Sequence, residues 1–284
     1  MGFLEDKDLW TYTTRTTTSL EHLSQIKTAI FLFALIVFHL IEYLFPFYLG
    51  RRKLSHDMRN LGLGVLNAIV LAPVFSKATL LVSQAAYARK YGLFNRIELP
   101  PFVEILVVFL LFDLWMYAWH RMNHKIPFLW RFHLVHHADP EVDASSALRF
   151  HTGEIFLSGM ARLIIVLLLG LAVEQIILYE TMLLPIILFH HSNINLMKKA
   201  DQLIRILFVT PRLHWVHHSK IRDEMDTNYG SIFSFWDRIF RTIRFKQNMK
   251  EIGQGVDGIQ EKESNSFFKM LRLPFSNGYD PCER

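Results

Sequence analysis

Five long apolar blocks alternate with polar segments along this chain, and their lengths predict its organisation. The first, Thr28 to Leu49, is long enough to cross a hydrocarbon layer about 30 Å thick. It ends in Gly50-Arg51-Arg52-Lys53, a basic stop that favours the cytoplasmic side. The second, Leu61 to Ala86, is interrupted by Pro73 and Lys77 and reads as a kinked or tilted span. The third runs from Pro101 to Trp119 and contains Glu104 and Asp113. The fourth and fifth, Ile155 to Val173 and Gln175 to Phe189, are separated only by Glu174 and read as a tight helical hairpin. The polar, mixed-charge start lacks the basic head and apolar run of a signal peptide.

The order of the blocks predicts a topology. With Arg51 to Lys53 on the cytoplasmic side, Met1 starts outside and the third span returns to the cytoplasmic face near His120. The hairpin then begins and ends on that same face, finishing near His190. Beyond it, charged and aromatic residues mix from Leu196 to Thr242. A polar tail follows, with one short amphipathic piece, Phe267 to Leu273. The expected fold is all-α: a polytopic membrane helical bundle of about four or five spans, topped by a cytosolic helical cap. Three regions are expected: an N-terminal segment with two spans at 1–100, a catalytic region at 101–244 and a polar C-terminal tail at 245–284.

Composition sharpens this picture at one point. Of 284 residues, 51% are hydrophobic and 24 are Phe, which excludes disorder and repetitive fibrous classes. A net charge of +5 with no basic stripe argues against nucleic-acid binding. The informative contrast is 14 His against 1 Cys. With Cys282 alone, no intrachain disulfide and no thiolate metal site is expected, so any metal must use imidazole, carboxylate or water.

The histidines are grouped. His120 and His124 form HxxxH, and His133, His136 and His137 form HxxHH. His190 and His191 follow the hairpin, and His214, His217 and His218 form a second HxxHH. Residues four apart share a helix face, so three of these groups can each aim two imidazoles at one point. The extra His136 and His217 let each HxxHH unit feed two adjacent metals. Nine or ten imidazoles exceed what one ion can use and suit two ions of about five ligands each. His22, His39 and His56 read as ordinary satisfied side chains, with His39 pairing to Glu42. His151 and His190 stand between the two readings.

These residues strongly resemble the fatty acid hydroxylase/sterol desaturase superfamily of membrane non-haem di-iron enzymes. The match covers roughly Phe102 to Thr242, through DLWMYAWHRMNH, WRFHLVHH, LRFHTGE, FHHSNI, TPRLHWVHHS and DTNYGSIFSFWDRIFRT. The resemblance implies O2-dependent hydroxylation or desaturation of a fatty acyl, sterol or related lipid at two Fe ions. By motif position it implies His120, His124, His133, His136, His137, His191, His214, His217 and His218 as ligands. Some members carry HxxxH in the third box, where this chain has Ile187 before His191. A tenth position is therefore open to His151, His190 or a water held by Asn193 or Asn228.

Asp113, seven residues before His120, is expected to orient a ligand or to pair with Arg162 or Lys77; Asp226 is a further orienting candidate. No haem, flavin or dinucleotide fingerprint is present, so the resemblance implies a separate electron donor of the cytochrome b5 or ferredoxin type. The host would be a bacterial inner membrane or the endoplasmic reticulum, with the site facing the cytoplasm. Two alternatives stand beside this reading. A membrane zinc hydrolase needs a carboxylate base as in HExxH, which the chain lacks. A non-enzymatic membrane metal- or ion-handling protein would place its ionisable residues near the midplane.

Overall fold

A computed structural model describes residues 6–50, 53–259 and 266–276, with side chains from Thr18 onward except Lys53. Arg51, Arg52 and Cys282 lie outside the described residues. The helices, in chain order, are α1 (Asp6–Leu44), α2 (Lys53–Val70), α3 (Ala72–Ala88), α4 (Pro101–Lys125), α5 (Pro127–His137), α6 (Thr152–Leu169) and α7 (Val173–His191). Shorter helices follow: α8 (Lys198–Ile204), α9 (Pro211–His217), α10 (Arg222–Met225), α11 (Phe235–Ile239) and α12 (Phe267–Arg272). Among the described residues there are only isolated β-bridges and no strand.

Four helices are long and apolar enough to cross a membrane: Thr18–Leu44 of α1, and α4, α6 and α7. The pair α2–α3 makes a fifth if it counts as one span bent by 46°. The outward faces of these helices carry Phe33, Ile36, Leu40, Phe102 and Ile164, all well exposed. An apolar surface of this kind is stable in lipid and not in water. The protein is a multi-pass membrane protein.

Local chemistry explains where the elements end. The first apolar block runs on to Leu49, but α1 stops at Leu44 because Pro46 cannot continue the hydrogen-bond ladder. Residues Phe45 to Tyr48 turn away and bond instead to Asn193 and Asn195. In the second block the break falls at Leu71, with Pro73 in the first turn of α3. The hairpin turn lies at Gly170 rather than at Glu174. Gly170 ends α6 in the left-handed conformation at φ 71°, which a residue without Cβ adopts at little cost. Glu174 falls in the first turn of α7.

The bundle packs α1 along α7 and α3 along α6, and α4 folds back onto α5. Its core is built from Phe112, Val166, Ile176, Tyr179 and Leu183, with Ile232 from the cap. The tail differs from a loose one. Met270 and Leu273 at the end of α12 are buried against Leu63, Trp130 and Leu134. The C-terminal ends of α4 and α7 and the N-terminal end of α6 meet at one end of the bundle, where α5 and α9 close over them.

Candidate metal centre

Nine imidazoles converge at that end in two sets. The first set contains His120 and His124 from the last turns of α4, His133 and His137 from α5, and His217 from α9. The second contains His136 from α5, His191 at the end of α7, and His214 and His218 around the end of α9. Within each set the nitrogens lie within 4.8 Å of one another. The helix period does the sorting. His133 and His137 share one face, and His136 sits beside them and faces the other set. His214 and His218 share a face, and His217 crosses back to the first. The two sets are adjacent, with the His137 and His218 rings stacked at 4.5 Å.

The hydrogen bonds show which nitrogen each ring turns inward. His120 Nδ1 bonds the Tyr229 carbonyl at 2.9 Å, and His217 Nδ1 bonds that of Thr227 at 2.7 Å. His133 Nδ1 bonds Glu154 Oε1 at 2.7 Å, and His124 Nδ1 bonds Asp226 Oδ1 at 3.3 Å. The Nε2 atoms of these four rings, and of His137, are buried with no partner. A buried unpaired nitrogen costs about 1–3 kcal/mol, and five facing one point could be satisfied together by one shared cation.

The second set has the same feature in another form. The Nε2 atoms of His136, His191, His214 and His218 follow one another at 3.2, 2.9 and 3.1 Å. Two ligands about 2.1 Å from one ion and at right angles to it lie about 3.0 Å apart. The spacing therefore fits imidazoles gathered around a metal. His191 Nδ1 is anchored on the Ile187 carbonyl at 2.8 Å.

Electrostatics agree with this fit. Burial, followed by neighbouring imidazoles, holds His136, His137, His214, His217 and His218 well below the ordinary histidine range. At neutral pH these rings are uncharged and keep a lone pair to donate. Among the described residues, neither set includes a carboxylate oxygen.

Of the two aspartates expected to orient a ligand, Asp226 reaches a ring and Asp113 does not. Asp226 contacts His124, and is itself held by Lys125 Nζ at 2.8 Å and Arg222 Nε at 3.3 Å. Asp113 touches no imidazole and pairs with neither Arg162 nor Lys77. Arg162 instead bonds Glu180, which also takes Lys27 at 2.7 Å. Asp113 accepts four hydrogen bonds, from Tyr179 Oη, Trp236 Nε1 and the amides of Ile232 and Phe233. It thus joins α4 to α7 and the cap.

Of the candidates for a tenth position, three do other work. His151 Nδ1 accepts from the Gly153 amide at 2.9 Å and caps α6, while its Nε2 faces the Leu271 carbonyl at 3.2 Å. Asn193 pairs with the backbone of Tyr48, and Asn228 clasps the backbones of Leu213 and Arg244. His190 remains near the second set, its ring 4.1 Å from that of His214 and its Nδ1 buried without a partner. His39 bonds the Leu35 carbonyl rather than Glu42. Glu42 accepts from the amides of Ala144 and Asn193.

Two further carboxylates support the site. Asp237 accepts from the amides of Tyr229 and Gly230 at 2.8 and 2.9 Å and so holds the turn whose carbonyl receives His120. Burial pushes its carboxyl up to about 6. The turn also needs Gly230, where a Cβ would come within 2.7 Å of the Phe233 carbonyl.

Glu154, in the first turn of α6, fixes His133. Nothing in the sequence pairs two residues 21 apart; the only signal was its place in the HTGE motif. A carboxylate on the outer nitrogen strengthens a metal-bound imidazole, and losing such a partner lowers metal affinity roughly 10–100-fold. Glu154→Gln should therefore weaken metal binding by about that factor, as read by titration against a competing chelator. Unchanged affinity would remove Glu154 from the site.

A fatty acid hydroxylase family model matches residues 105–242. An ornithine lipid hydroxylase, OlsE, of Rhizobium tropici is 28% identical over 223 residues, covering 78% of this chain and 65% of its own. Human alkylglycerol monooxygenase is 28% identical over 67% of this chain and 41% of its own. Human cholesterol 25-hydroxylase is 28% identical over 50% of this chain and 51% of its own. The chain thus spans 41% to 65% of the length of these relatives. No solved structure matches it.

Proposed function

Since this chain belongs to the fatty acid hydroxylase/sterol desaturase superfamily, we propose that it is a membrane lipid hydroxylase. It binds one iron ion in each histidine set and uses O2 to hydroxylate a C–H bond of an amphipathic lipid. The carrying observation is the convergence of nine imidazoles into two adjacent carboxylate-free sets. All three relatives named above are, by their names, lipid hydroxylases or monooxygenases. Two bound irons would supply the O2 activation and redox chemistry that an unactivated C–H bond requires. The net reaction takes lipid, O2, two electrons and two protons to alcohol and water. The chain's own residues supply a buried site, neutral imidazoles and fixed ring orientations.

The bilayer-facing helices deliver an apolar tail from the membrane side. The site faces the cytoplasm, where a separate donor of the cytochrome b5 or ferredoxin type supplies electrons. The region 101–244 is the catalytic unit in this reading. A zinc hydrolase of the HExxH kind needs a carboxylate base beside a single metal; here the carboxylates that reach the rings, Glu154 and Asp226, face the outer nitrogens of His133 and His124 instead.

Lipid profiling by mass spectrometry of cells with and without the gene tests the proposal. A lipid heavier by one oxygen, formed only with the gene and only with O2, is expected. Loss of two hydrogens instead would make the enzyme a desaturase. An O2-independent product would overturn the proposal.

A further inference from the structure

A second, smaller group of metal-ligating atoms lies outside the two histidine sets, at the start of α2. His56, Asp57 and Asp143 each offer one ligand atom, all within 4.8 Å of one another. His56 Nδ1 is 3.2 Å from Asp143 Oδ2 and 3.6 Å from Asp57 Oδ1. His56 Nδ1 and Asp57 Oδ1 are both buried without an aligned hydrogen-bond partner. His56 and Asp143 are only 2% and 1% exposed.

The other nitrogen of His56 is already committed. Its Nε2 faces both oxygens of Asp139, at 2.8 and 3.0 Å. Asp139 is fully buried and is held in turn by Ser146 Oγ at 2.6 Å. This is the arrangement by which a carboxylate fixes an imidazole for a metal: the hydrogen sits on the nitrogen facing the carboxylate, and the opposite lone pair is left to donate. Asp143 is fixed similarly. Its Oδ1 accepts from the Ser145 amide and hydroxyl at 2.9 and 2.7 Å, which leaves Oδ2 for the site. Asp57 lies on the open side, with 16% of its side chain exposed, so an ion can enter past it.

The geometry points to a third metal site, in which His56 Nδ1, Asp57 and Asp143 bind one divalent first-row cation, separate from the two histidine sets. Ligand atoms 3.2–3.6 Å apart suit donors about 2.0–2.2 Å from one ion. One imidazole with two carboxylates is a donor set for zinc, manganese or ferrous iron. The site links α2 to the segment that joins α5 to α6. Asp143 caps the short helical turn Ala144–Leu148, and Asp139 follows directly after the α5 histidines.

The rival arrangement is a protonated His56 bridging Asp139 and Asp143 with no metal, and the experiment separates the two. Purified full-length protein is stripped with a chelator and titrated with Zn2+ against a coloured competitor, and its metal is counted by mass spectrometry. The wild-type chain should take three equivalents. Asp57→Asn should take one fewer, whatever number the histidine sets hold. That difference of one isolates this site from the di-iron reading. Equal stoichiometry in the wild type and Asp57→Asn would overturn the proposal. Should Asp57→Asn fail to fold, Asp143→Asn is titrated in its place, and stoichiometry equal to the wild type again overturns the proposal.

Discussion

Replacing His133 and His214 together by alanine should abolish O2-dependent lipid conversion, with a fall on the order of 1,000-fold or more, about 4 kcal/mol of activation free energy. The double variant removes one inward nitrogen from each set and takes from Glu154 its imidazole partner. His133 Nε2 is buried and unpaired, and His214 Nε2 stands 2.9 Å from that of His191 and 3.1 Å from that of His218. Metal content should fall with activity, because the remaining four and three imidazoles lose a contact at each position. His151→Ala is the control. Its ring caps α6, so the variant should lose about 1 kcal/mol of stability and keep its metal. Product formed at the wild-type rate by His133→Ala/His214→Ala would show that these rings do not hold the reacting metals.

The largest effect on stability is expected at Asp113. Its carboxylate is fully buried and receives four hydrogen bonds, two from side chains and two from backbone amides. Asp113→Ala leaves all four donors without a partner in an apolar setting. Each costs about 1–3 kcal/mol unless water replaces the oxygen. A net loss on the order of 3–5 kcal/mol follows, to be read as a drop in the thermal midpoint in detergent. The cap should loosen first, since Trp236, Ile232 and Phe233 all hang on this group. A midpoint within a degree or two of wild type would mean that Asp113 does not hold the cap to the bundle.

The two variants also mark how far the sequence could be read. The membrane blocks were legible because a span needs a long apolar run, and such a run needs no information about its neighbours. The paired imidazoles were legible because i and i+4 share a helix face, which is a local property. His133 with His137, and His214 with His218, follow from spacing alone. So does the placing of His136 beside the first pair, facing elsewhere.

Partners across the fold were not legible. Asp113 sits about two turns before His120 on the same helix face, and its position in the chain suggested a metal role. The structure gives it to Tyr179, 66 residues away, and to the cap. His56 read as an ordinary satisfied side chain, and nothing in the sequence tied it to Asp139 or Asp143. They meet only because α2 packs on the segment between α5 and α6. Glu154 reaches His133 for the same reason. Periodicity along a helix records which side chains share a face, so the sequence alone determined the spans and the histidine pairs. Which faces then meet depends on how the helices pack, and no local pattern encodes that. Only the tertiary structure could therefore decide the split into sets of five and four, the carboxylates that orient them, and the second cluster around His56.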